Sequence, residues 1–296
     1  MNDLPQCFDS YALEECVLPV GSAGKNAVAD LCFTKSGEKT YLSRNYNVTP
    51  AKVLHALYYD ELRPGMPYVI FVNPTAGIIE GDRYTYDIRL DEGAEAFITD
   101  NAATKIYRMD SNYGSRITNV SLGAGSRLEY IPKENIAFAR SRWHQDVTFN
   151  LEGDAALFYS EIFCPGRIAR GESWDFDAYS SRTKIIQDGK TIAIDNLLWT
   201  SEDKERSETL FGGMNYYLTA YMISTSMLSS KDNLDCCCVH GGISELPYEC
   251  GLVAKALSND IDDLKDFQLS LWNAFRKAET GQETPNLRMQ YGRFGF

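Results

Sequence analysis

Apolar and polar residues alternate along this chain in short runs, the period of a half-buried β-strand. Residues 83–90 (Arg-Tyr-Thr-Tyr-Asp-Ile-Arg-Leu) and 116–122 (Arg-Ile-Thr-Asn-Val-Ser-Leu) follow that pattern. Residues 68–72 form a short apolar run, and 96–99, 127–131, 146–151, 155–163, 182–187 and 191–195 continue the series. Gly, Asn and Asp punctuate it, as in Asp91-Glu92-Gly93-Ala94 and Gly123-Ala124-Gly125, and Pro132 stops one strand. Asp188-Gly189 predicts the turn of a hairpin over 184–194. No repeat of fixed period is apparent. Strands this short and this evenly spaced predict an all-β architecture rather than βαβ units.

Two segments read differently. Over 260–277, Ile261, Leu264, Phe267, Leu271, Trp272 and Phe275 share one stripe at helical spacing, with Leu269 off it. Asp260, Asp262 and Asp263 crowd the start and Arg276 and Lys277 the end, as the helix dipole favours, and Gly281 supplies a stop. Residues 216–228 are apolar and rich in Tyr, Thr and Ile, which predicts a strand. Residues 282–296 form a polar and aromatic tail without periodicity, the pattern of a flexible or partner-bound end.

Charge narrows the function classes. The 296 residues carry 29 Lys plus Arg against 41 Asp plus Glu, a net charge of −12. Nucleic-acid binding needs a basic footprint that this balance does not offer, and an anionic membrane is equally unattractive. The start of the chain has no basic n-region and no apolar h-region, so the expected location is the cytosol. The eight cysteines then read as free thiols. Cys236-Cys237-Cys238-Val239-His240 is the one metal-like cluster. Read as a strand, it puts Cys236, Cys238 and His240 on one face, either as a soft metal site or as small thiols filling a core.

Few catalytic signatures are present. Residues 73–82 form a Pro/Gly-shaped loop between two strands, ending in the acids Glu80 and Asp82. It is no P-loop, because it lacks G-K-[ST] and a following helix. The three histidines fall in neither H-E-x-x-H nor a triad context, and G-x-S-x-G is absent. Gly166-Arg167-Ile168-Ala169-Arg170-Gly171-Glu172 places two arginines between glycines. Their guanidinium forks suit a carboxylate, either a partner's or an internal one. Carboxylate pairs such as Glu80 and Asp82 also leave open a carbohydrate-active hydrolase or lyase on a β-helix-like scaffold.

Five segments in order give the sequence a closer likeness. They are 73–82; Gly93-Ala94 leading into 102–108; 128–132 followed by Ile136-Ala137-Phe138; 166–172; and 251–257 followed by Leu271-Trp272. Together they resemble the urease accessory protein UreD family, called UreH in some organisms, from about residue 48 to 288. The resemblance implies one UreD-like domain over 1–296. Its fold would be mostly β, a β-helix-like stack of short strands with a few α-helices, the clearest near the C-terminus. It further implies a non-catalytic scaffold in the cytoplasm that binds the urease apoprotein and UreF. UreF would recruit UreG, the GTPase that carries nickel. No cofactor is expected to stay tightly bound; nickel would be in transit through a water-filled internal passage.

A hydrated Ni²⁺ needs oxygen or nitrogen groups that let it leave again. On that implied passage the matching segments nominate Asp82, Glu129 and Glu172, with Glu161 just before one of them. Glu80, Lys105, Arg167 and Arg170 are nominated for the passage or for partner contacts. Structural ion pairs and capped turns are the competing role for each. The chain departs from the family pattern at Thr75, Ala76 and Glu80, where the family carries Pro and Gly. The loop loses backbone freedom there and gains a charge. The Cys236–Cys238 run lies outside the family pattern.

Overall fold

The structure is a computed structural model that describes residues 4–16, 25–75, 77–236 and 239–285. Its strands form two sheets. The first runs β14 (Lys190–Thr200), β13 (Ala178–Gln187), β11 (Arg142–Leu151), β8 (Gly114–Leu122), β5 (Arg83–Leu90), β1 (Asn26–Ser36) and β2 (Lys39–Val48). The second runs β16 (His240–Glu245), β17 (Gly251–Ser258), β15 (Tyr216–Ile223), β12 (Ala156–Cys164), β9 (Arg127–Ile131), β6 (Glu95–Asp100), β4 (Tyr68–Val72) and β3 (Lys52–Val53). Short β7 (Thr104–Ile106) and β10 (Asn135–Ala137) join the second sheet from the side.

From β4 onward the chain crosses from one sheet to the other and back, and β5, β8, β11 and β13 pair in parallel, as do β4, β6, β9 and β12. This is a β-solenoid-like stack of about 4 turns, mostly β with few helices, one of them near the C-terminus. The expected architecture is therefore the one present. Antiparallel strands finish each end, β2 against β1 and β14 against β13. The hairpin at Asp188-Gly189 takes positive φ at both residues, 48° and 76°.

A repeat exists that the sequence conceals. Gly93, Gly125 and Gly153 each turn a corner in the left-handed region and stack on one another's neighbours. Gly93 N donates to Ala124 O (2.9 Å), Gly125 N to Asp154 Oδ1 (2.7 Å) and Gly153 N to Asp188 Oδ1 (2.8 Å). Leu90, Leu122 and Leu151 stack beneath these corners in register and fully buried. The corners recur at unequal steps of roughly thirty residues, because each turn carries a different side loop, so no fixed period is visible.

Alternation divides each strand between two environments. Tyr84, Tyr86, Ile88 and Leu90 of β5 point between the sheets, into the larger core. A second core lies on the far face of the second sheet, where Phe97, Phe158, Leu218 and Leu252 meet the C-terminal helix. Besides the short α1 (Asp9–Ala12) and α2 (Lys204–Leu210), that helix, α3 (Ile261–Thr280), is the principal one described. Asp260 Oδ1 caps it by accepting from Asp262 N at 2.9 Å, and Gly281 ends it at φ 68°. Leu264, Phe267, Leu271, Trp272 and Phe275 are buried, Ile261 is half-buried and Leu269 is exposed, as the stripe predicts.

Four expectations change. Arg276, expected to serve the dipole at the helix end, is fully buried in an ion pair; only Lys277 lies in the last turn. The strand over 216–228 ends at Ile223, because Ser224 Oγ accepts from Ser226 N and starts a 3-10 turn, Thr225–Asn233. Cys236 is not in a strand with His240: Val239 N donates to Cys236 O, and β16 begins at His240. Cys238 lies outside the described residues, as do Ala76 and the tail beyond 285. Strands β1 and β2 lie outside the predicted series; β2 is exposed or half-buried along most of its length, so its sequence carries no clear apolar face.

Candidate functional site

The larger core contains a polar rung. Tyr84 of β5 pairs with Arg116 of β8, Arg116 with Gln145 of β11, and Gln145 with Ser181 of β13. Because register aligns them, all four side chains lie side by side across the first sheet, pointing inward. From the second sheet, alternation on β12 sends Leu157, Tyr159 and Phe163 to the same interior, and Glu161 with them.

Glu161 is the acceptor at the centre. Gln145 Nε2 donates to its Oε2 at 2.6 Å, Tyr159 Oη to Oε2 at 3.0 Å and Ser181 Oγ to Oε1 at 2.9 Å. Burial pushes the Tyr159 phenol well above its ordinary value, so it stays a neutral donor. Gln145 Oε1 accepts in turn from Arg116 Nη2. Arg116 reaches onward to a cavity of about 290 Å³, lined also by Asn73, Tyr84, Asp100, Thr104 and Lys105. Burial raises the Asp100 carboxyl, and the nearby Arg116 charge opposes that rise. The Nε of Arg116, Thr118 Oγ1, Asn135 Oδ1 and Trp143 Nε1 are buried without a protein partner among the described residues. Buried polar atoms of this kind are completed by water or by a ligand, which fits a hydrated interior.

The acids nominated from sequence separate. Glu161 faces this interior. Asp82 is fully buried in its own loop, accepting from Lys25 N and Ile79 N at 3.2 Å each; burial raises its carboxyl. Glu80 Oε2 accepts from Asp110 N, Ser111 N and Ser111 Oγ at 3.0–3.2 Å, bracing loop 107–113. Both are under 4% exposed. They are therefore not the open carboxylate pair that attack on a polysaccharide requires. Glu129 points to the other face of the second sheet, where Arg276 and Trp272 hold it.

The remaining nominees lie further out. Glu172 Oε1 accepts from Ala139 N at 3.0 Å, and Arg167 beside it holds the carboxyl below its usual range. The arginine pair therefore answers an internal acid in part: Arg167 closes on Glu172 at 2.5 Å and lies over the Phe138 ring, while Arg170 is exposed. Lys105 is exposed at the mouth of the cavity.

Sequence reasoning missed Asp100, Arg116, Gln145 and Ser181. The available signal was a polar residue at an inward position of an alternating strand, as Gln145 between Trp143 and Val147. Only strand register brings the four together. Among the described residues, no three His, Cys, Asp or Glu converge to hold a metal ion, and no helix is long and apolar enough to cross a membrane.

Comparison with known proteins agrees with the likeness carried by the five segments. The urease accessory protein UreD of Cenarchaeum symbiosum is 34% identical over 287 residues, covering 92% of this chain and 98% of that one. UreD 2 of Brucella suis is 30% identical over 93% of this chain and 95% of its own. UreD of Haloarcula marismortui is 29% identical over 91% and 92%. The family model described as UreD urease accessory protein matches residues 25–291, so the chain belongs to the UreD family of urease accessory proteins.

Proposed function

We propose that this protein is a non-catalytic urease maturation factor that helps deliver nickel to the urease active site. It links the urease apoprotein to UreF and, through UreF, to the GTPase UreG, whose hydrolysis of GTP drives the transfer. Its place of work is the cytoplasm, where the apoprotein is made. Membership in the UreD family carries the accessory role.

The nickel part of the reading rests on the inward rung. Nickel here is cargo, so the lining must hold it briefly. Glu161 offers one carboxylate surrounded by neutral donors that can rotate, and Asp100 offers another at the cavity. Single oxygen ligands spaced along a hydrated route exchange a hydrated divalent cation without trapping it. On this reading Glu161 and Asp100 line the route, Lys105 stands at its mouth, and Glu129, Asp82 and Glu80 hold the walls in place. Arg170 and the Arg167–Glu172 pair are available to a partner protein.

Expression of urease with and without this chain, followed by metal analysis of purified urease, tests the proposal. Urease made without it should be present but poor in nickel, and the chain should co-purify with urease and UreF. Urease that is fully nickel-loaded and active without this chain would overturn the reading.

A further inference from the structure

Arg116 is an unusual buried cation. It is 5% exposed, yet no carboxylate among the described residues forms an ion pair with it. Among the described residues its tether is one hydrogen bond from Nη2 to the neutral Gln145 Oε1, with the rings of Tyr86 (6.0 Å) and Trp143 (5.8 Å) beside it. Its Nε has no hydrogen-bond partner among the described residues. Buried guanidinium groups are ordinarily held by an acid, because leaving the charge unpaired is costly. An acid is at hand: Asp100 lines the same cavity and accepts from Lys133 N at 3.2 Å.

Position gives this weak tether its meaning. On one side Arg116 lines the cavity; on the other it holds Gln145, which holds Glu161. We propose that Arg116 is a charge gate between the cavity and Glu161. Resting on Gln145, the guanidinium repels an incoming divalent cation and occupies Gln145 Oε1. Swung to Asp100, its charge is neutralised locally, and Gln145 Oε1 becomes an oxygen ligand on the cavity side of the amide whose Nε2 faces Glu161. This inference rests on the nickel-route reading above and adds its regulation: the route opens only when a side chain already inside it changes partners.

Titration of the purified protein with Ni²⁺ tests the gate. Removing a unit charge this close, in a low-dielectric interior, should tighten Ni²⁺ binding by about tenfold or more in Arg116→Met. Arg116→Lys, which keeps the charge, should stay near wild type. Adding Glu161→Gln to the Met variant should remove the gain, which locates the bound ion. A Met variant that is folded by circular dichroism and binds Ni²⁺ no tighter than wild type would overturn the gate. Where that variant does not fold, Arg116→Gln serves under the same criterion. Glu161→Gln in the otherwise natural chain, with urease still fully nickel-loaded, would instead overturn the route, and the titration would then judge the ion competition alone.

Discussion

Arg276 of α3 and Glu129 of β9 meet with both side chains at 0% exposure, Nε lying 2.8 and 2.9 Å from the two carboxylate oxygens. The same guanidinium reaches Asp60 Oδ2 at 2.5 Å and Tyr68 Oη at 2.9 Å, while Trp272 Nε1 donates to Glu129 at 2.7 Å. One arginine thus ties the C-terminal helix to a central strand and to the segment before β4. Pairing and complete hydrogen bonding compensate the cost of burying these charges.

Truncating that arginine should be severe. Arg276→Met leaves Glu129 and Asp60 as buried, unpaired acids, and a loss of about 3–5 kcal/mol is expected. Chemical denaturation measures it. A triple replacement that also neutralises Glu129 and Asp60 should recover much of the loss, because no orphan charge remains; equal losses would contradict this account.

Glu161→Gln should separate delivery from folding. The amide keeps the shape: its oxygen can still accept from Gln145 and Tyr159, and the Ser181 hydroxyl can turn to accept from the new NH2, so stability should change by no more than about 1–2 kcal/mol. Nickel content of co-expressed urease should nevertheless fall. A matching fall for Glu129→Gln with unchanged stability would show that the wrong acid has been assigned.

Glycines in this chain differ in kind. Gly153 has φ 55° with open surroundings, and an added Cβ would sit 3.5 Å from Ala124 Cβ. Gly153→Ala should therefore cost only the left-handed penalty, about 1–2 kcal/mol. At Gly166, φ 153°, a Cβ would fall 2.4 Å from Glu172 O and 2.9 Å from its carbonyl carbon. Gly166→Ala must displace backbone and disturb the Arg167–Glu172 turn, so its melting temperature should drop further than that of Gly153→Ala.

Acid should loosen the N-terminal segment. His144 is 3% exposed beneath Phe8, with ring centroids 5.9 Å apart, and burial lowers its pKa below 6.5. Asp146 opposes that shift, while Arg182 and Arg83 add to it. The unfolded chain therefore binds the proton more readily, and stability is lost as pH falls from 6.5 towards the folded value. Denaturation midpoints at pH 7.5 and 5.5 should differ more in wild type than in His144→Gln. An unchanged difference would remove His144 as the cause.

Much of this molecule was legible as a string. Alternation in 83–90 and 116–122 marked strands, because one face of each is buried against a shared core. The stripe from Leu264 to Phe275, with Asp260 before it and Gly281 after it, marked α3 and its ends. Five segments in order marked the family.

Which acid does what was not legible. Glu129 and Glu161 each sit in strands rich in apolar and aromatic residues, yet one faces α3 and the other faces the space between the sheets. The side a strand residue takes depends on which core its neighbours fill, and a shift of one residue reverses it. Arg276 looked like a helix-end charge because its partners, Asp60 and Glu129, are distant in sequence. The rung of Tyr84, Arg116, Gln145 and Ser181 exists only through register between four strands. The sequence by itself determined most of the central strands, the terminal helix and the family. Tertiary structure alone decided which charges anchor and which line the interior, because burial and partnership belong to neighbours that meet only when the sheets stack.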